Sequence, residues 1–188
     1  MNKKPYILGI CAANSGSGKT YVIENLIPEL KKRGYSSSAI KHAHHNFDID
    51  KPGKDSFKIR ESGAKQTLIF NAGRSALITE NKKNDFDLNK ALEQINQPTD
   101  IILVEGLKTM QISKIEVYRE KISSELLHNK DKNIIGVISD VSIKCDIPCF
   151  NFTNIDKIDD TQSKKMTELL KDKCKFEVIS YVKWGCFI

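Results

Sequence analysis

The segment of this sequence best suited to chemistry is the stretch at residues 13–20, Ala-Asn-Ser-Gly-Ser-Gly-Lys-Thr. It matches the phosphate-loop pattern at its Gly-Lys-Thr end and carries Ala13 where the first glycine usually stands. Small residues let the backbone curl so that N–H groups surround phosphate oxygens, and the following helix adds its positive end. Lys19 would contact the terminal phosphates of a nucleotide, and the Thr20 hydroxyl would bind Mg²⁺. The predicted nucleotide-binding residues of this loop are Asn14, Ser15, Gly16, Ser17, Gly18, Lys19 and Thr20.

A second element that could bind the metal is the acidic residue at the end of the apolar run Ile101–Val104. Such a run is typical of a central parallel strand covered on both faces. Glu105 follows it directly and would lie at the carboxyl edge of the sheet, where open α/β sheets bind ligands. A carboxylate there can hold Mg²⁺ directly or through water, so we predict that Glu105 and Thr20 share the metal.

A histidine- and aspartate-rich segment spans Lys41–Ser56. On a strand, His42 and His44 would share one face and His45 would lie on the other. A transition-metal site is one interpretation, and hydrogen bonding to anions beside the phosphate loop is the other. Asp50 could approach the Mg²⁺ or the attacking water, or it could belong to a solvated acidic loop. With Lys19 and Glu105, Asp50 completes the predicted catalytic set, and with Thr20 and Glu105 the predicted metal ligands.

These residues require a fold that brings the ends of several strands together. Apolar, β-branched runs alternate with helical patterns, which predicts right-handed βαβ crossovers. We predict an α/β fold of the P-loop NTPase type, with a mostly parallel sheet and helices on both faces. Predicted strands cover Tyr6–Ala12, Ser38–His42, Thr67–Phe70, Ala76–Thr79, Ile101–Val104, Lys114–Tyr118, Ile134–Ser139 and Pro148–Phe152. Predicted helices cover Lys19–Lys32, Asp55–Ser62, Asp87–Gln94 and Asp156–Leu170. We expect Asp55 to cap its helix and Lys114–Tyr118 to be a more exposed strand, because its residues alternate.

Length and composition predict one domain over residues 1–188, with a tail at 174–188 of unassigned role. The net charge of +6 is spread over the chain, which favours anionic small molecules over nucleic acid. No apolar run approaches the ~20 residues of a membrane span. The odd number of cysteines, five, without a secretory signal predicts reduced thiols and a cytoplasmic location. A four-thiolate metal site of Cys145, Cys149, Cys174 and Cys186 is the less favoured alternative.

Several motifs in order resemble the MobB family, the molybdopterin-guanine dinucleotide biosynthesis proteins B. They are the phosphate loop, Lys41-His42-x-His44-His45-x-Phe47-Asp48-x-Asp50-x-Pro52-Gly53-Lys54-Asp55-Ser56, Arg60-x-x-Gly63-Ala64, Val104-Glu105-Gly106-x-Lys108 and Lys114-Ile115-Glu116-Val117-x-Arg119. The resemblance covers about residues 5–170 and implies a GTP-binding homodimer with weak GTPase activity. It implies as partner the MobA-type guanylyltransferase, which attaches GMP to molybdopterin, with molybdopterin or its dinucleotide as a further ligand. The implied anion-binding residues are His42, His44, His45, Ser56, Arg60, Lys108 and Lys114.

The choice of GTP over ATP rests on this resemblance, because the Asn-Lys-x-Asp signature of many GTPases is absent from the sequence. Asp140 follows a buried strand and could accept hydrogen bonds from a guanine edge. Two other functions compete: a small-molecule P-loop kinase or ATP-dependent ligase, and a metal chaperone that uses the histidines. A kinase needs an arginine-rich lid, and the sequence shows no arginine-rich insertion.

Overall fold

The computed structural model describes residues 4–43, 47–81 and 86–151. The chain divides into two compact units, one formed by Met1–His42 with Ile95–Ile188 and the other by Ala43–Gln94. The predicted helix Asp156–Leu170 and the tail at 174–188 lie outside the described residues. In the described ranges, no helix combines the length and the apolar composition that a membrane span needs.

The first unit is built on a sheet of six parallel strands in the order β2-β5-β1-β6-β7-β8. The strands are β1 (Tyr6–Cys11), β2 (Ser37–Lys41), β5 (Ile101–Glu105), β6 (Lys114–Tyr118), β7 (Ile134–Ser139) and β8 (Cys149–Asn151). Strand β1 is central, and the chain leaves it toward β2 on one side while β6 pairs with it on the other. The carboxyl edge beside β1 therefore corresponds to the edge at which open α/β sheets bind ligands. This confirms the predicted mostly parallel α/β fold.

Helix α1 (Lys19–Lys32) follows β1 and supplies the helical layer of the core. Its apolar residues recur at helical spacing, and four of them are buried: Val22, Ile23, Leu26 and Leu30. They pack in one cluster with the sheet residues Leu8, Ile10 and Leu103. Packing of this stripe fixes the first turn of α1 against the end of β1.

The second unit contains a hairpin of β3 (Gln66–Asn71) and β4 (Arg74–Thr79) with α2 (Asp55–Glu61) and α3 (Leu88–Glu93). The hairpin is antiparallel and pairs Asn71 with Arg74 across a two-residue connection. The Asn71 side chain accepts hydrogen bonds from the backbone N–H groups of Gly73 and Arg74 at 2.8 Å each. An Asx turn of this kind mimics the hydrogen bonds of a backbone turn. The antiparallel pairing of β3 with β4 confirms the predicted strand pair.

Three local expectations were wrong. Asp55 lies inside the first turn of α2, after the cap residue Lys54, and its carboxylate is 3.9 Å from the Lys58 ammonium. Strand β6 is buried from Lys114 to Val117, because Ile115 and Val117 pack in the core cluster while Lys114 and Glu116 contact groups on the connection to β7. The thiols of Cys145 and Cys149 were expected to be reduced, but the two residues form a disulfide at the connection between β7 and β8. Cys174 and Cys186 lie outside the described residues.

Candidate functional site

The loop between β1 and α1 curls through two glycines in the left-handed region, Gly16 at φ 78° and Gly18 at φ 95°. A residue with a Cβ is strained at such angles, so glycine suits both positions. Ser17 is buried and donates from Oγ to the Asn14 carbonyl at 3.0 Å, which closes the curl. The Lys19 ammonium donates to the same carbonyl at 3.3 Å. The loop thus combines a left-handed curl, a helix N-terminus and an ammonium group.

The predicted metal-binding pair meets at the edge of the sheet. The Thr20 hydroxyl donates to Glu105 Oε1 at 3.0 Å. Lys41 Nζ lies 3.6 Å from the other carboxylate oxygen, and the His42 backbone N–H donates to the Glu105 carbonyl at 3.1 Å. Strand register explains the meeting, because Glu105 pairs with Ile10 of β1 and with Lys41 of β2. A hydroxyl and a carboxylate oxygen at this distance are suitable oxygen donors for Mg²⁺.

The segment after β5 carries a lysine to the phosphate loop. Gly106 at φ 96° and Leu107 at φ 53° both adopt left-handed backbone, and the Met110 N–H closes a turn on the Leu107 carbonyl at 3.0 Å. Lys108 then donates from Nζ to the Ala13 carbonyl at 3.3 Å. The structure therefore brings Lys108 to the phosphate loop, as the family resemblance implies.

Lys114 is placed differently from the other predicted anion-binding residues. Its side chain is 0% exposed, and Nζ contacts the Lys108 carbonyl at 3.0 Å, the Met110 carbonyl at 2.6 Å and the Asp131 carboxylate at 2.5 Å. A lysine ammonium has three N–H donors. All three are engaged within the protein, so the structure does not present Lys114 to a ligand.

A small cleft lies beside the phosphate loop, between the start of α1 and the ends of β6 and β7. Its lining comprises Ser17, Gly18, Tyr21, Val22, Val117, Tyr118, Arg119, Ile138, Ser139 and Asp140. The carboxylate of Asp140 accepts from the Glu120 N–H at 3.0 Å and lies 3.6 Å from Arg119 Nε. Asp140, which the sequence suggested as an acceptor for a guanine base, thus lines this cleft.

Two sets of polar contacts near this cleft were not expected from the sequence. The Asn14 side-chain oxygen accepts from both the N–H and the hydroxyl of Ser124 at 2.9 Å each, which ties the segment after β6 to the phosphate loop. Glu116 is fully buried and accepts from the N–H groups of Leu127 at 2.7 Å and His128 at 2.9 Å. Burial, and secondly the Glu116 charge, raise the pKa of the Cys11 thiol to about 12. The sequence offers no signal for these pairings beyond the motif that contains Glu116.

The predicted site residues Asp50, Ser56 and Arg60 belong to the second unit. Arg60 Nη2 lies 3.2 Å from Oδ1 of the buried Asp50, and Arg60 Nη1 lies 3.1 Å from Glu80. The hydrogen bond to Asp50, ahead of other causes, raises the pKa of the Arg60 guanidinium. Ser56 is half-buried on α2. His44 and His45 lie outside the described residues, and among the described ones no three His, Cys, Asp or Glu side chains converge on a possible metal site.

A central strand, a glycine-curled loop that ends in Lys-Thr, and a strand-end carboxylate bonded to that threonine define an α/β protein of the P-loop NTPase type. A comparison with family models then identifies the family within this class of proteins. A model described as "Molybdopterin guanine dinucleotide synthesis protein B" matches residues 7–140, and this chain belongs to that MobB family.

Individual relatives agree with this assignment. The chain is 38% identical over 154 residues to the "Molybdopterin-guanine dinucleotide biosynthesis adapter protein" of Escherichia coli K12, covering 79% of this chain and 87% of that protein. It is 37% identical over 161 residues to the protein of the same name from Haemophilus influenzae, covering 85% and 89%. The crystal structure of Bacillus subtilis MobB superposes with a TM-score of 0.66 at 23% identity, covering 87% of this chain and 97% of that one. This last likeness concerns the fold alone.

Proposed function

We propose that this protein binds GTP with Mg²⁺ at the phosphate loop, hydrolyses it slowly, and serves as an adapter in molybdopterin guanine dinucleotide biosynthesis. The biosynthetic process is inferred from the names of the relatives, and nucleotide binding is inferred from the geometry of the site. The observation that carries the proposal is the hydrogen bond from Thr20 to Glu105, 3.0 Å long, beside the curled loop. It brings together the two groups that we propose as ligands of the metal that accompanies a nucleoside triphosphate.

The phosphates would be held by backbone N–H groups of the loop and by two lysines. Lys19 and Lys108 now donate to the carbonyls of Asn14 and Ala13, which are neutral acceptors. A phosphate oxygen is negatively charged, so it attracts an ammonium group by Coulomb interaction in addition to accepting its hydrogen bond, whereas a carbonyl oxygen carries no net charge. Both ammonium groups would therefore exchange the carbonyls for phosphate when nucleotide enters.

Asp50 stays a predicted metal ligand and catalytic residue. Its side chain is held by the Arg60 guanidinium within the second unit. A role at the metal would require the carboxylate to exchange this partner for the cation. Asp50→Asn should then abolish Mg²⁺-dependent hydrolysis while GTP binding persists, and an unchanged hydrolysis rate would remove Asp50 from the mechanism.

The guanine base would occupy the cleft between α1 and the ends of β6 and β7. Guanine presents two adjacent N–H donors on its Watson–Crick edge, and a carboxylate accepts from both. Adenine presents a ring nitrogen acceptor there, which a carboxylate repels. Asp140 at the cleft would thus favour GTP, and its present partners, the Glu120 N–H and Arg119, would be exchanged or shared.

Titration of the purified protein with GTP and ATP, each with Mg²⁺, tests this function. We expect tighter binding of GTP, and slow release of phosphate without a second substrate. Asp140→Asn should reduce the preference for GTP, because the amide offers one acceptor and one donor. Rapid phosphoryl transfer to a small metabolite would favour the kinase alternative, and failure to bind either nucleotide would refute the proposal.

A homodimer is part of the proposal, and an apolar face of the hairpin supports it. Leu68 and Leu77 are directly paired across β3 and β4, and with Phe70 they lie on one face. They are 60%, 46% and 75% exposed. An exposed apolar face on a two-stranded hairpin is unfavourable in water and suits a second copy of the chain. Sedimentation should give a dimer for the wild type and a monomer for Leu68→Ser/Phe70→Ser, and a monomeric wild type would contradict this assignment.

The proposed partner is the guanylyltransferase of the same biosynthetic process. We propose that the two proteins act together in the cytoplasm. The relatives are named adapter proteins, and an adapter requires a protein to act on. Calorimetric titration with the guanylyltransferase, with and without GTP, should reveal a complex. A parallel titration with molybdopterin would show whether the adapter also binds the pterin directly.

A further inference from the structure

Lys114, the buried lysine of β6, is not accessible to a ligand. It contacts the segment that carries Lys108, the lysine that reaches the phosphate loop. Lys114 contacts two carbonyls of that segment, those of Lys108 and Met110. Its third contact is the carboxylate of Asp131, which also accepts from the backbone and side-chain nitrogens of Asn133 at 2.9 Å each. The ammonium is thus fully satisfied, and its acceptors connect two separate parts of the chain.

The backbone of β1 makes room for this lysine. Lys114 pairs with Gly9 in the sheet, and a Cβ built on Gly9 would lie 2.7 Å from Lys114 Cγ. Real Cβ atoms do not approach other atoms so closely. Glycine at position 9 is therefore what lets the lysine chain cross the central strand toward the segment after β5.

The segment itself needs an external support. Leu107, directly before Lys108, has φ 53°, and a non-glycine residue in the left-handed region is strained. Such a conformation persists only where surrounding structure fixes it. Two of the three contacts of the Lys114 ammonium fall on this segment, on either side of residue 109.

We infer that Lys114, held by Asp131, is a positioning residue for the nucleotide site: it fixes the strained segment 106–110 so that Lys108 reaches the phosphate loop. This inference rests on the proposed function, because it assigns Lys108 to the phosphates. Lys114 acts through Lys108 and does not touch the ligand. Its effect on nucleotide affinity must therefore vanish when Lys108 is absent.

A double-mutant cycle with a fluorescent GTP analogue and Mg²⁺ tests the inference. We expect Lys108→Met and Lys114→Met each to weaken binding by about tenfold, the value of one charge-assisted contact. The variant with both changes should also lose about tenfold, since the two changes remove one interaction. A loss of about a hundredfold would show independent effects and overturn the inference. An unchanged affinity in Lys114→Met would overturn it as well.

Two further variants keep the test decisive. Lys114→Met leaves Asp131 without its partner and could unfold the protein, so the cycle is repeated with Lys114→Met/Asp131→Asn, which removes both charges and keeps an oxygen for Asn133. Lys31→Met, an exposed lysine at the opposite end of α1, controls for the lost charge and should bind like the wild type. If the wild type binds no GTP, the proposed function fails. If the wild type binds and the cycle is additive, only the positioning role fails.

Discussion

The substitution Glu105→Gln tests the proposed metal site while leaving the fold intact. The carboxylate accepts the Thr20 hydroxyl and lies 3.6 Å from the Lys41 ammonium. A glutamine has almost the same shape, and its amide oxygen can still accept from Thr20. Only the negative charge is removed, so any large effect must come from the loss of that charge.

The structure predicts two effects of different size for this change, a small one on the free energy of unfolding and a larger one on Mg²⁺-dependent nucleotide binding. The Lys41 side chain is 66% exposed, and an ion pair with such an exposed partner contributes ~0–1 kcal/mol, so the free energy of unfolding should change by less than about 1 kcal/mol. A carboxylate about 4 Å from a cation near a protein surface gains on the order of 4 kcal/mol per unit charge, and desolvation offsets much of it. We expect the stabilisation of bound GTP by Mg²⁺ to fall by at least about 1.4 kcal/mol, which is tenfold in affinity.

The assay is a pair of titrations with a fluorescent GTP analogue, one with Mg²⁺ and one with a chelator. Glu105→Gln should bind the analogue with similar affinity in both, whereas the wild type should bind more tightly with Mg²⁺. Glu29→Gln is the matched control, because the Glu29 side chain on α1 is 12% exposed against 14% for Glu105 and is paired with Arg33. An undiminished Mg²⁺ effect in Glu105→Gln, at wild-type thermal stability, would refute the placement of the metal.

Three further outcomes follow from the same contacts. Lys19→Ala should weaken GTP binding by about a hundredfold or more, because the phosphates lose a charged donor, and unchanged affinity in a titration would refute the loop assignment. The free energy of unfolding should fall with rising pH between the unfolded-state pKa of Cys11, 9.0, and its folded value of about 12, since the folded thiol keeps its proton longer. This slope should exceed that of Cys11→Ala by up to about 1.4 kcal/mol per pH unit, and equal slopes would contradict the burial argument. Arg60→Gln should lower the urea midpoint of unfolding, because the buried Asp50 loses its partner, whereas the exposed Arg74→Gln should not; equal midpoints would argue against a structural role for Arg60.

The contact between Thr20 and Glu105 was predictable from the sequence because topology determines it. Two apolar, β-branched runs predicted parallel strands, and the carboxyl ends of parallel strands lie at one edge of the sheet. Thr20 follows the first run after a short loop, and Glu105 ends the second. No side-chain detail was needed, because β1 and β5 are adjacent and in register from Tyr6 with Ile101 to Ile10 with Glu105.

The buried charges of β6 were not predictable in the same way. Lys114 and Glu116 alternate with apolar residues, which usually indicates a half-exposed strand. Both are buried, because Asp131 and the N–H groups of Leu127 and His128 compensate their charges. These partners follow later in the chain, on the connection to β7, and a periodicity contains no information about which distant group will meet a charge. The prediction of Lys114 as an anion-binding residue came from the family resemblance, and the structure instead gives its ammonium group three partners within the protein.

The distribution of these charges explains why a lysine-rich chain suits a nucleotide with its metal. Lys114 is paired with Asp131, so these two opposite charges offset each other. Lys19 and Lys108 rest on uncharged carbonyls and keep their positive charge available, while Lys41 faces the single carboxylate of Glu105. A triphosphate carries more negative charge than one Mg²⁺ neutralises, so the complex remains an anion. The positive charge of Lys19 and Lys108 therefore lies where the proposed phosphates would be, and the Glu105 carboxylate lies where the proposed metal would be. This arrangement would favour the metal–nucleotide complex over either component alone.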